Sequence, residues 1–211
     1  MNIEEALREQ WLPLRERLQA RHLLGADDDS LSLRIPGTGA MWFGTAGDAA
    51  PRRTAQSAPV PQQASVHAAV YAARADVGAI AIGGGEYGHC LPDFGGALPQ
   101  VFDEQARHLG PMGPPTPDEA GIADALAGGG NVLLVQGRVV CLGLTATRLA
   151  LNAELFEKCA KAYVLAVASG GRVRPLPGLV RFIANRRLHK DERRARQRFA
   201  QGLLPEEAKG Y

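Results

Sequence analysis

The chain has 211 residues, of which 45% are hydrophobic and 22% are charged, and its formal net charge is +2. This length and apolar content suffice for one sizeable core, and so small a net charge does not by itself indicate a nucleic-acid-binding protein. Every apolar run is far shorter than the roughly 20 residues that span a bilayer, so a membrane protein is not expected.

The cysteines and the N-terminal residues predict a cytoplasmic protein. Cys90, Cys141 and Cys159 are few, odd in number and without CxxC spacing, which favours reduced thiols over disulfides. The first residues, MNIEEALREQW, are charged and lack the apolar stretch of a secretory signal. We therefore expect a cytoplasmic location.

The N-terminal segment predicts a helix, because apolar residues recur every three or four positions from 3 to 18. Pro13 should kink this helix or begin a second one, since proline has no N–H to donate. The acidic run at 27–29 is interpreted as a solvated loop, because it lacks the alternating oxygens and the distant Glu of an EF-hand.

A β-hairpin is predicted next. The segment SLSLRI at 30–35 alternates polar and apolar residues, and 40–43 returns as its partner after a Pro-Gly turn. The loop GTAG at 44–47 has amides that could hold an anion, although such a loop is weakly specific. Residues 48–62 are polar and without period, which indicates a surface loop.

The central stretch predicts a helix, a buried strand and a glycine loop. Apolar and small residues recur at helical spacing from 63, and residues 77–82 are almost wholly apolar, as in a strand covered on both faces. Three glycines at 83–85 follow, and then Glu86, Tyr87, His89 and Cys90. A buried strand that ends in glycines and polar groups is a common pocket floor.

The remaining elements are predicted from caps, turns and periodicity. Thr116 and Glu119 have the spacing of a capping box, which predicts a helix that ends at the glycines 128–130. Two apolar strands, 131–135 and 139–142, are joined by a hairpin turn with Gly137. A long helix is expected from Thr145 to Gly170, with Glu154, Glu157, Lys158 and Lys161 on its solvated side.

The tail at 181–199 predicts a basic helix. A solvated, salt-bridged surface helix is the favoured interpretation, and a phosphate- or RNA-binding patch is the alternative. No cluster of stacking aromatic residues accompanies the basic residues, which disfavours nucleic acid.

This order of elements resembles the class II aldolase/adducin family over residues 3–170. The resemblance is carried by HAAVYAARADVGAI, LLVQGRVVCLG and LNAELFEKCAKAYVLA, and by the shorter segments SLSLRI and GTAG. It implies an α/β fold, an αβα sandwich around a mostly antiparallel sheet. It divides the chain into an aldolase/adducin-like domain at 1–170 and a basic helical extension at 171–211, packed on the same domain. It also implies a homo-oligomer, by resemblance a tetramer, with sites between neighbouring subunits.

The resemblance implies a zinc site whose ligands are absent here. Catalytic members use a His-x-His pair at the end of the central strand, a third His in the hairpin, and a Glu one helix upstream. Those positions fall on Ile82 and Gly84, on Gln136, and on Gln63. None of these side chains is a good zinc ligand or a general base near neutral pH. We therefore expect no zinc and no catalytic residue at these positions.

The family's phosphate pocket is also altered. Its Gly-Asn before the first strand appears as Asp29-Ser30 and its Thr-Gly loop end as Ala46-Gly47. A carboxylate at Asp29 would repel a phosphate. The pocket candidates are the residues nearest to these positions: Ser30, Gly47, Gln63, Gly84, Glu86, His89 and Gln136.

Three hypotheses follow, and whether the protein is an enzyme stays open. The favoured one is a non-catalytic binding or assembly homologue with a possible small-molecule ligand. The second is an aldol lyase or isomerase acting on a small carbonyl or sugar-phosphate-like substrate, with a rebuilt site in which Glu86 and His89, with Cys90 or His108, hold a metal. The third is phosphate or nucleic-acid binding through the basic tail.

His67 is predicted to be a hydrogen-bonded core residue, and Cys141 and Cys159 core thiols. In some family members a C-terminal segment covers a neighbour's pocket, and the sequence leaves open whether Tyr211 does so.

Overall fold

A computed structural model describes residues 2–57 and 59–207 of the chain; Tyr211 lies outside the described residues. The helices are α1 (Ile3–Ala20), α2 (Ser65–Ala73), α3 (Glu86–Cys90), α4 (Asp103–His108), α5 (Ile122–Ala125), α6 (Ala146–Ala168) and α7 (Gly178–Ala200). The strands are β1 (Ser30–Ile35), β2 (Ala40–Thr45), β3 (Arg52–Ala55), β4 (Ala79–Gly83), β5 (Val132–Val135) and β6 (Arg138–Gly143).

The six strands form one sheet in the order β3-β2-β1-β4-β6-β5, and every neighbouring pair is antiparallel. A parallel bridge between Thr116 and Val135 adds a short contact at the β5 edge. The predicted α/β fold with a mostly antiparallel sheet is therefore confirmed.

Apolar side chains cover both faces of the sheet, because alternate residues of a strand point to opposite sides. On one face, Leu31 and Leu33 of β1 and Cys141 of β6 pack with α1 and α6. On the other face, Ile80 and Ile82 of β4 pack with α2 and α5. The result is three layers, helices–sheet–helices.

Several predicted elements differ from the observed ones. Pro13 lies inside the single helix α1, so it does not begin a second helix. The predicted loop at 48–62 contains the edge strand β3, which was missed because all four of its side chains are partly or fully exposed and give no alternation. Asp29 is 4% exposed, so the acidic run is not a wholly solvated loop.

The predicted cap at Thr116 is wrong by two residues. Thr116 is extended because its N–H donates to the Leu134 carbonyl and its own carbonyl accepts from Gln136 N, at 2.9 Å each. Asp118 is the cap instead, accepting from Ala120 N at 3.0 Å. The predicted cap of α6 is confirmed, since Thr145 Oγ1 accepts from Arg148 N at 3.1 Å.

The predicted basic helix near the C-terminus is confirmed as α7, and several contacts hold it to the rest of the molecule. Arg107 of α4 pairs with Asp191 at 2.6 Å, and Gln100 bonds to Asn185 at 2.9 Å. Among the described residues, no helix is both long and apolar enough to cross a membrane.

Candidate functional site

Most of the predicted site positions lie at one edge of the sheet. Ser30 pairs with Ile82 across β1 and β4, and Gly84 directly follows β4. Gly47 follows β2, whose last residue pairs with Ser30. Gln136 lies in the β5–β6 turn, and β6 begins beside the end of β4. We call this region the site edge.

Gln63, the position of the family's Glu, is exposed to solvent. It belongs to a short 3₁₀ turn, Gln62–Ala64, that leads into α2. The next residue, Ala64, is fully buried in the apolar cluster that contains Ile82. At the start of α2, Gln63 therefore points to solvent, while Ala64 packs against the sheet.

Ile82 is sealed inside the core. Its side chain is 4% exposed and packs in the apolar cluster with Phe43 and Val140. Ser30, its cross-strand partner, is 2% exposed, so its hydroxyl does not face a solvent-filled pocket within this chain. Two of the predicted pocket or ligand positions are thus interior residues.

A buried network of neutral side chains lies beneath this pair. Both ring nitrogens of His67 are hydrogen-bonded, Nε2 to Ser30 Oγ at 2.9 Å and Nδ1 to Ser32 Oγ at 2.7 Å. Tyr71 extends the network, with its hydroxyl 3.0 Å from Ser32 Oγ. Burial, and then the positive charge of Arg138, lowers the pKa of His67 to about 3. The prediction of a hydrogen-bonded core histidine is confirmed.

The glycine loop packs tightly, and the cavity that Gly83 and Gly84 line has a volume of only about 10 Å³. A Cβ on Gly83 would lie 2.6 Å from the Leu23 carbonyl oxygen. Gly84 has φ +126°, and a Cβ there would lie 2.9 Å from Val139 Cγ2. A Cβ on Gly85 would lie 2.3 Å from the carboxyl carbon of Glu157. Gly83 therefore requires glycine for close packing and Gly84 for its backbone conformation, and a side chain at Gly85 would displace the Glu157 carboxylate.

Glu157 holds the start of α3 in place. Its Oε1 accepts from Tyr87 N at 2.7 Å and its Oε2 from Gly88 N at 3.0 Å. The prediction that Glu157 lies on the solvated side of α6 is therefore wrong. A carboxylate that accepts two backbone amides satisfies donors that the short helix leaves open.

Two backbone amides of the GTAG loop are already hydrogen-bonded within the chain. Thr45 N donates to Asp48 Oδ2 at 2.8 Å, and Ala46 N donates to the Asp29 carbonyl at 2.7 Å. Arg15 in turn donates to the carbonyl of Asp48. An internal carboxylate thus takes one of the amides that the sequence suggested for an external anion.

Asp29 is a paired carboxylate. Its Oδ1 accepts from Arg138 Nη2 at 3.0 Å, and its Oδ2 accepts from Gly25 N at 2.7 Å and Ala26 N at 3.0 Å. Arg138 also pairs with Asp28 at 2.9 Å. Arg138 therefore offsets one of these two carboxylate charges, and the expectation that Asp29 repels a phosphate stays a prediction.

The residues considered for a rebuilt metal site do not gather around one point. Glu86 and His89 are exposed on α3, and Cys90 donates its S–H to the Glu86 carbonyl at 3.2 Å. His108 lies elsewhere, buried with its Nδ1 3.3 Å from Arg148 Nη1. In residues 2–57 and 59–207, no group of three or more His, Cys, Asp or Glu side chains could hold a metal ion. The donor set of the described chain therefore does not fit a zinc ion.

The buried thiols and His108 have strongly shifted pKa values. Burial raises the pKa of Cys141 and that of Cys159 to about 12, so both stay protonated at neutral pH. Their prediction as core residues is confirmed. Burial, followed by the charges of Arg148 and Arg107, lowers the pKa of His108 to about 4.

A cavity of about 580 Å³ lies away from the site edge, between α4, the start of α6 and α7. Its lining includes four arginines, and also carboxylates of α7 and of the following segment. The charged lining residues are Arg107, Arg148, Asp191, Arg194, Arg198, Glu206 and Glu207. Arg107 is balanced by Asp191 at 2.6 Å, and Arg198 lies 3.9 Å from Glu206.

Arg138, Glu157 and Asp48 were missed as determinants of the site edge. The Asp29–Arg138 bond joins residues 109 positions apart, and the Glu157–Tyr87 bond spans 70. Helical periodicity placed Glu157 on a solvated face, and nothing local indicated otherwise. Asp48 follows GTAG directly. Of these three residues it is therefore the one that the sequence could have indicated, as a carboxylate next to loop amides.

No protein-family model matches the sequence, and no curated protein matches it either. Solved structures do match the fold. YgbL from Klebsiella pneumoniae, named as a candidate aldolase/epimerase/decarboxylase, is 18% identical, with a TM-score of 0.71, over 87% of this chain and 100% of its own.

Two further structures share the architecture. L-fuculose 1-phosphate aldolase from Glaciozyma antarctica PI12 is 16% identical, with a TM-score of 0.68, over 92% of this chain and 88% of its own. An aldolase II superfamily protein from Pseudomonas syringae is 13% identical, with a TM-score of 0.68, over 90% and 86% of the two chains. The chain therefore has the class II aldolase fold, as the sequence predicted.

Proposed function

We propose that this protein is a non-catalytic homologue with the class II aldolase fold, a binding or assembly protein that does not perform metal-dependent aldol chemistry. The observation that carries the proposal is the backbone at Gly84, the second position of the family's His-x-His pair. Its φ of +126° is a conformation that residues with a Cβ rarely adopt, and Val139 fills the space that a side chain would need. A histidine side chain at this position would be strained and would meet Val139, which supports the loss of the ligand.

The other ligand positions support the same interpretation. Ile82 is buried among apolar side chains and has no donor atom. Gln136 has a φ of +53° and is exposed at the tip of the hairpin, followed by Gly137 at +78°, as in a two-residue turn. Zinc in this chemistry needs several imidazoles and an open coordination position, and neither residue supplies an imidazole.

The proton-transfer and anion-binding positions support it as well. Gln63 replaces the family's Glu, and an amide has no proton to exchange near neutral pH. The amide of Thr45 in the GTAG loop is already bonded to Asp48. An incoming phosphate would have to displace that internal carboxylate.

Metal content tests the proposal directly. The full chain, purified without chelators and without added metals, is expected to contain well below one zinc per chain by elemental analysis. It should also leave ketose 1-phosphates uncleaved, with L-fuculose 1-phosphate aldolase assayed in parallel as the active reference. One zinc per chain with measurable cleavage would overturn the proposal, and its loss in His89→Ala or Cys90→Ser would locate a rebuilt site on α3.

Substitution of Gly84 tests the reshaped backbone. We expect Gly84→Ala to reduce the free energy of unfolding by about 1–3 kcal/mol, because the new Cβ meets Val139 and the conformation is strained. Gly47→Ala is the matched control, since a Cβ there meets nothing within 4 Å. Equal urea midpoints for Gly84→Ala and the unsubstituted protein would show that the edge can still accept a side chain.

A further inference from the structure

The solvent-facing side of α7 is apolar in its first turns and cationic further along the helix. Leu179 is 71% exposed, Phe182 62% and Ile183 48%. The residues that continue this side, at spacings of three and four, are exposed cations. They are Arg186, Lys190 and Arg193. We call the three apolar residues and these three cations the α7 face.

Buried contacts on the opposite side fix the rotation of α7 about its axis. The buried apolar residues there are Ala184, Leu188, Ala195 and Phe199. Glu192 points the same way and accepts from Arg74 Nη2 at 2.9 Å. The α7 face therefore points to solvent, over about 21 Å of helix from Leu179 to Arg193 at about 1.5 Å per residue.

Positive charge is concentrated in this part of the chain. Residues 171–200 contain ten Lys and Arg and two Asp and Glu, a formal charge of +8, so the other residues sum to −6 within the net charge of +2. A negatively charged surface attracts the first part and repels the second. Such a surface would therefore orient the molecule with α7 toward it.

In the part of the chain that the structure describes, the ion pairs of α7 involve residues outside the α7 face. Asp191 pairs with Arg107 at 2.6 Å, and Glu192 pairs with Arg74 at 2.9 Å. The other members of such pairs on α7 are His189, Arg196 and Arg198. The cations of the α7 face can therefore bind external anions without breaking an internal ion pair.

An apolar cluster that continues into a row of cations fits the surface of an anionic phospholipid bilayer. Leucine, isoleucine and phenylalanine side chains enter the boundary between headgroups and acyl chains, and Lys and Arg bind the anionic headgroups. Either contribution alone gives only marginal binding, and the α7 face supplies both.

Other partners fit the α7 face less well. Leu179 and Ile183 have no π surface on which the bases of a nucleic acid could stack. Two copies of the α7 face would repel each other through their cations.

We infer that the α7 face docks on an anionic phospholipid bilayer, with α7 lying along the surface and the apolar side chains of its first turns inserted between the headgroups. The attachment is peripheral and reversible, because only three large apolar side chains enter the bilayer. This inference goes beyond the proposed function and does not depend on whether a metal binds.

Sedimentation with lipid vesicles tests the inference. The full chain should co-sediment with phosphatidylcholine vesicles that contain about one-third phosphatidylserine, and at least about tenfold less with phosphatidylcholine alone, because each cation near an anionic surface strengthens binding by about fivefold. Binding should also fall as the salt concentration rises from about 0.1 M to about 1 M, since the screening length drops from about 10 Å to about 3 Å.

Substitutions assign the binding to the α7 face. Phe182→Asp should reduce vesicle binding by at least about tenfold, because it places a carboxylate at the depth of the headgroups. Arg186→Glu should reduce it by about fivefold or more, since it removes a cation and adds an anion. The matched controls make the same changes of charge on α1 and at its end. They are Leu12→Asp, at a side chain that is 36% exposed, and Arg21→Glu, at an exposed one.

Both controls should bind vesicles as the unsubstituted protein does. Circular dichroism checks that each variant is folded, and Arg186→Glu carries the test should Phe182→Asp misfold. Absence of vesicle binding, equal binding with and without phosphatidylserine, or equal losses in the α7 and α1 variants would each overturn the inference.

Two further results would also overturn it by assigning the α7 face to another partner. A lower molar mass of Phe182→Asp by light scattering, with unchanged vesicle binding, would assign the face to a second copy of the chain. Binding to single-stranded RNA in preference to the vesicles, lost in Arg186→Glu, would assign it to a nucleic acid.

Discussion

Two buried polar clusters of this molecule are built from opposite kinds of groups. At the site edge, the His67 network consists of neutral hydroxyl and imidazole groups. Beneath α7, the Arg74 cluster consists of charges, with Arg74 bonded to Asp76 at 2.6 Å and to Glu192 at 2.9 Å. All three of these charged side chains are less than one-tenth exposed.

The difference shows where the fold is stabilised by hydrogen bonds between neutral groups and where it is stabilised by buried ion pairs. In the His67 network every polar atom is bonded to a near neighbour, so this region can stay closed without a metal or an anion. In the Arg74 cluster, Glu192 of α7 reaches across the molecule to the residues that follow α2. Burial acts to lower the pKa of Arg74, but hydrogen bonds and charge from Asp76, and then Glu192, outweigh it and raise the pKa. The charged cluster thus anchors the C-terminal helix.

The largest expected effect is at Arg74. We expect Arg74→Met to lower the free energy of unfolding by about 3–5 kcal/mol, because Asp76 and Glu192 lose their buried cation. The comparison is Arg196→Ala, whose side chain is 60% exposed and 3.8 Å from Asp76, and which should change stability by less than about 1 kcal/mol. Urea unfolding of both variants measures the difference. Similar losses of unfolding free energy for the two would show that burial does not decide how much an ion pair contributes.

The neutral network predicts a loss of stability in acid. The pKa of His67 is about 3 in the folded chain and about 6.5 in the unfolded chain, so the unfolded state binds the proton first. The contribution of neutral His67 to the free energy of unfolding is complete above about pH 6.5. It is lost as the pH falls toward 3, at about 1.4 kcal/mol per pH unit. His108, with a pKa of about 4, adds a slope of the same sign.

Substitution of His67 isolates its share of that slope. Between pH 6 and pH 4, His67→Leu should have a shallower dependence of unfolding free energy on pH, by about 1.4 kcal/mol per unit. His89→Leu, which removes an exposed imidazole on α3, is the matched control. Parallel profiles for His67→Leu and the unsubstituted chain would contradict a neutral buried imidazole.

The smallest expected effect is at the hairpin tip. Gln136 has a φ of +53°, and asparagine adopts this left-handed conformation more readily than glutamine. Gln136→Asn should therefore raise the free energy of unfolding by about 0.5 kcal/mol, measured as a small rise in the melting temperature. Gln62→Asn, in the short 3₁₀ turn before α2, provides the comparison and should give no gain. A destabilised Gln136→Asn would indicate that the glutamine amide makes contacts that a turn residue does not need.

Local patterns predicted most of the fold. The alternation in SLSLRI, the apolar run of β4 and the Thr145 cap each depend on neighbours within a few residues, and all three elements are present. The edge strand β3 could not be predicted in this way, because backbone pairing with β2 and not a buried face holds Arg52 and Arg53 in line. The helix at Thr116 was misplaced because a bridge to Val135, distant in sequence, overrode the local cap.

The chemistry of the site edge was less predictable. The sequence indicated which positions lack metal ligands, since that needs only residue identity. It did not indicate that Arg138 pairs with Asp29 or that Glu157 caps α3, because such pairs form only once distant segments meet. The conformation of Gly84 was also unpredictable, since three consecutive glycines are compatible with both an open loop and a tightly packed one.

Both margins of the sheet are protected, and this bears on how the protein behaves at high concentration. β3 presents Arg52 and Arg53 along one margin, and charged side chains there discourage a foreign strand from pairing. At the other margin, the backbone of Thr116 is hydrogen-bonded to the Leu134 carbonyl and to the Gln136 amide, so a foreign strand cannot use these groups. Fibril growth by strand addition is therefore disfavoured, and we expect concentrated samples to remain free of amyloid during long storage.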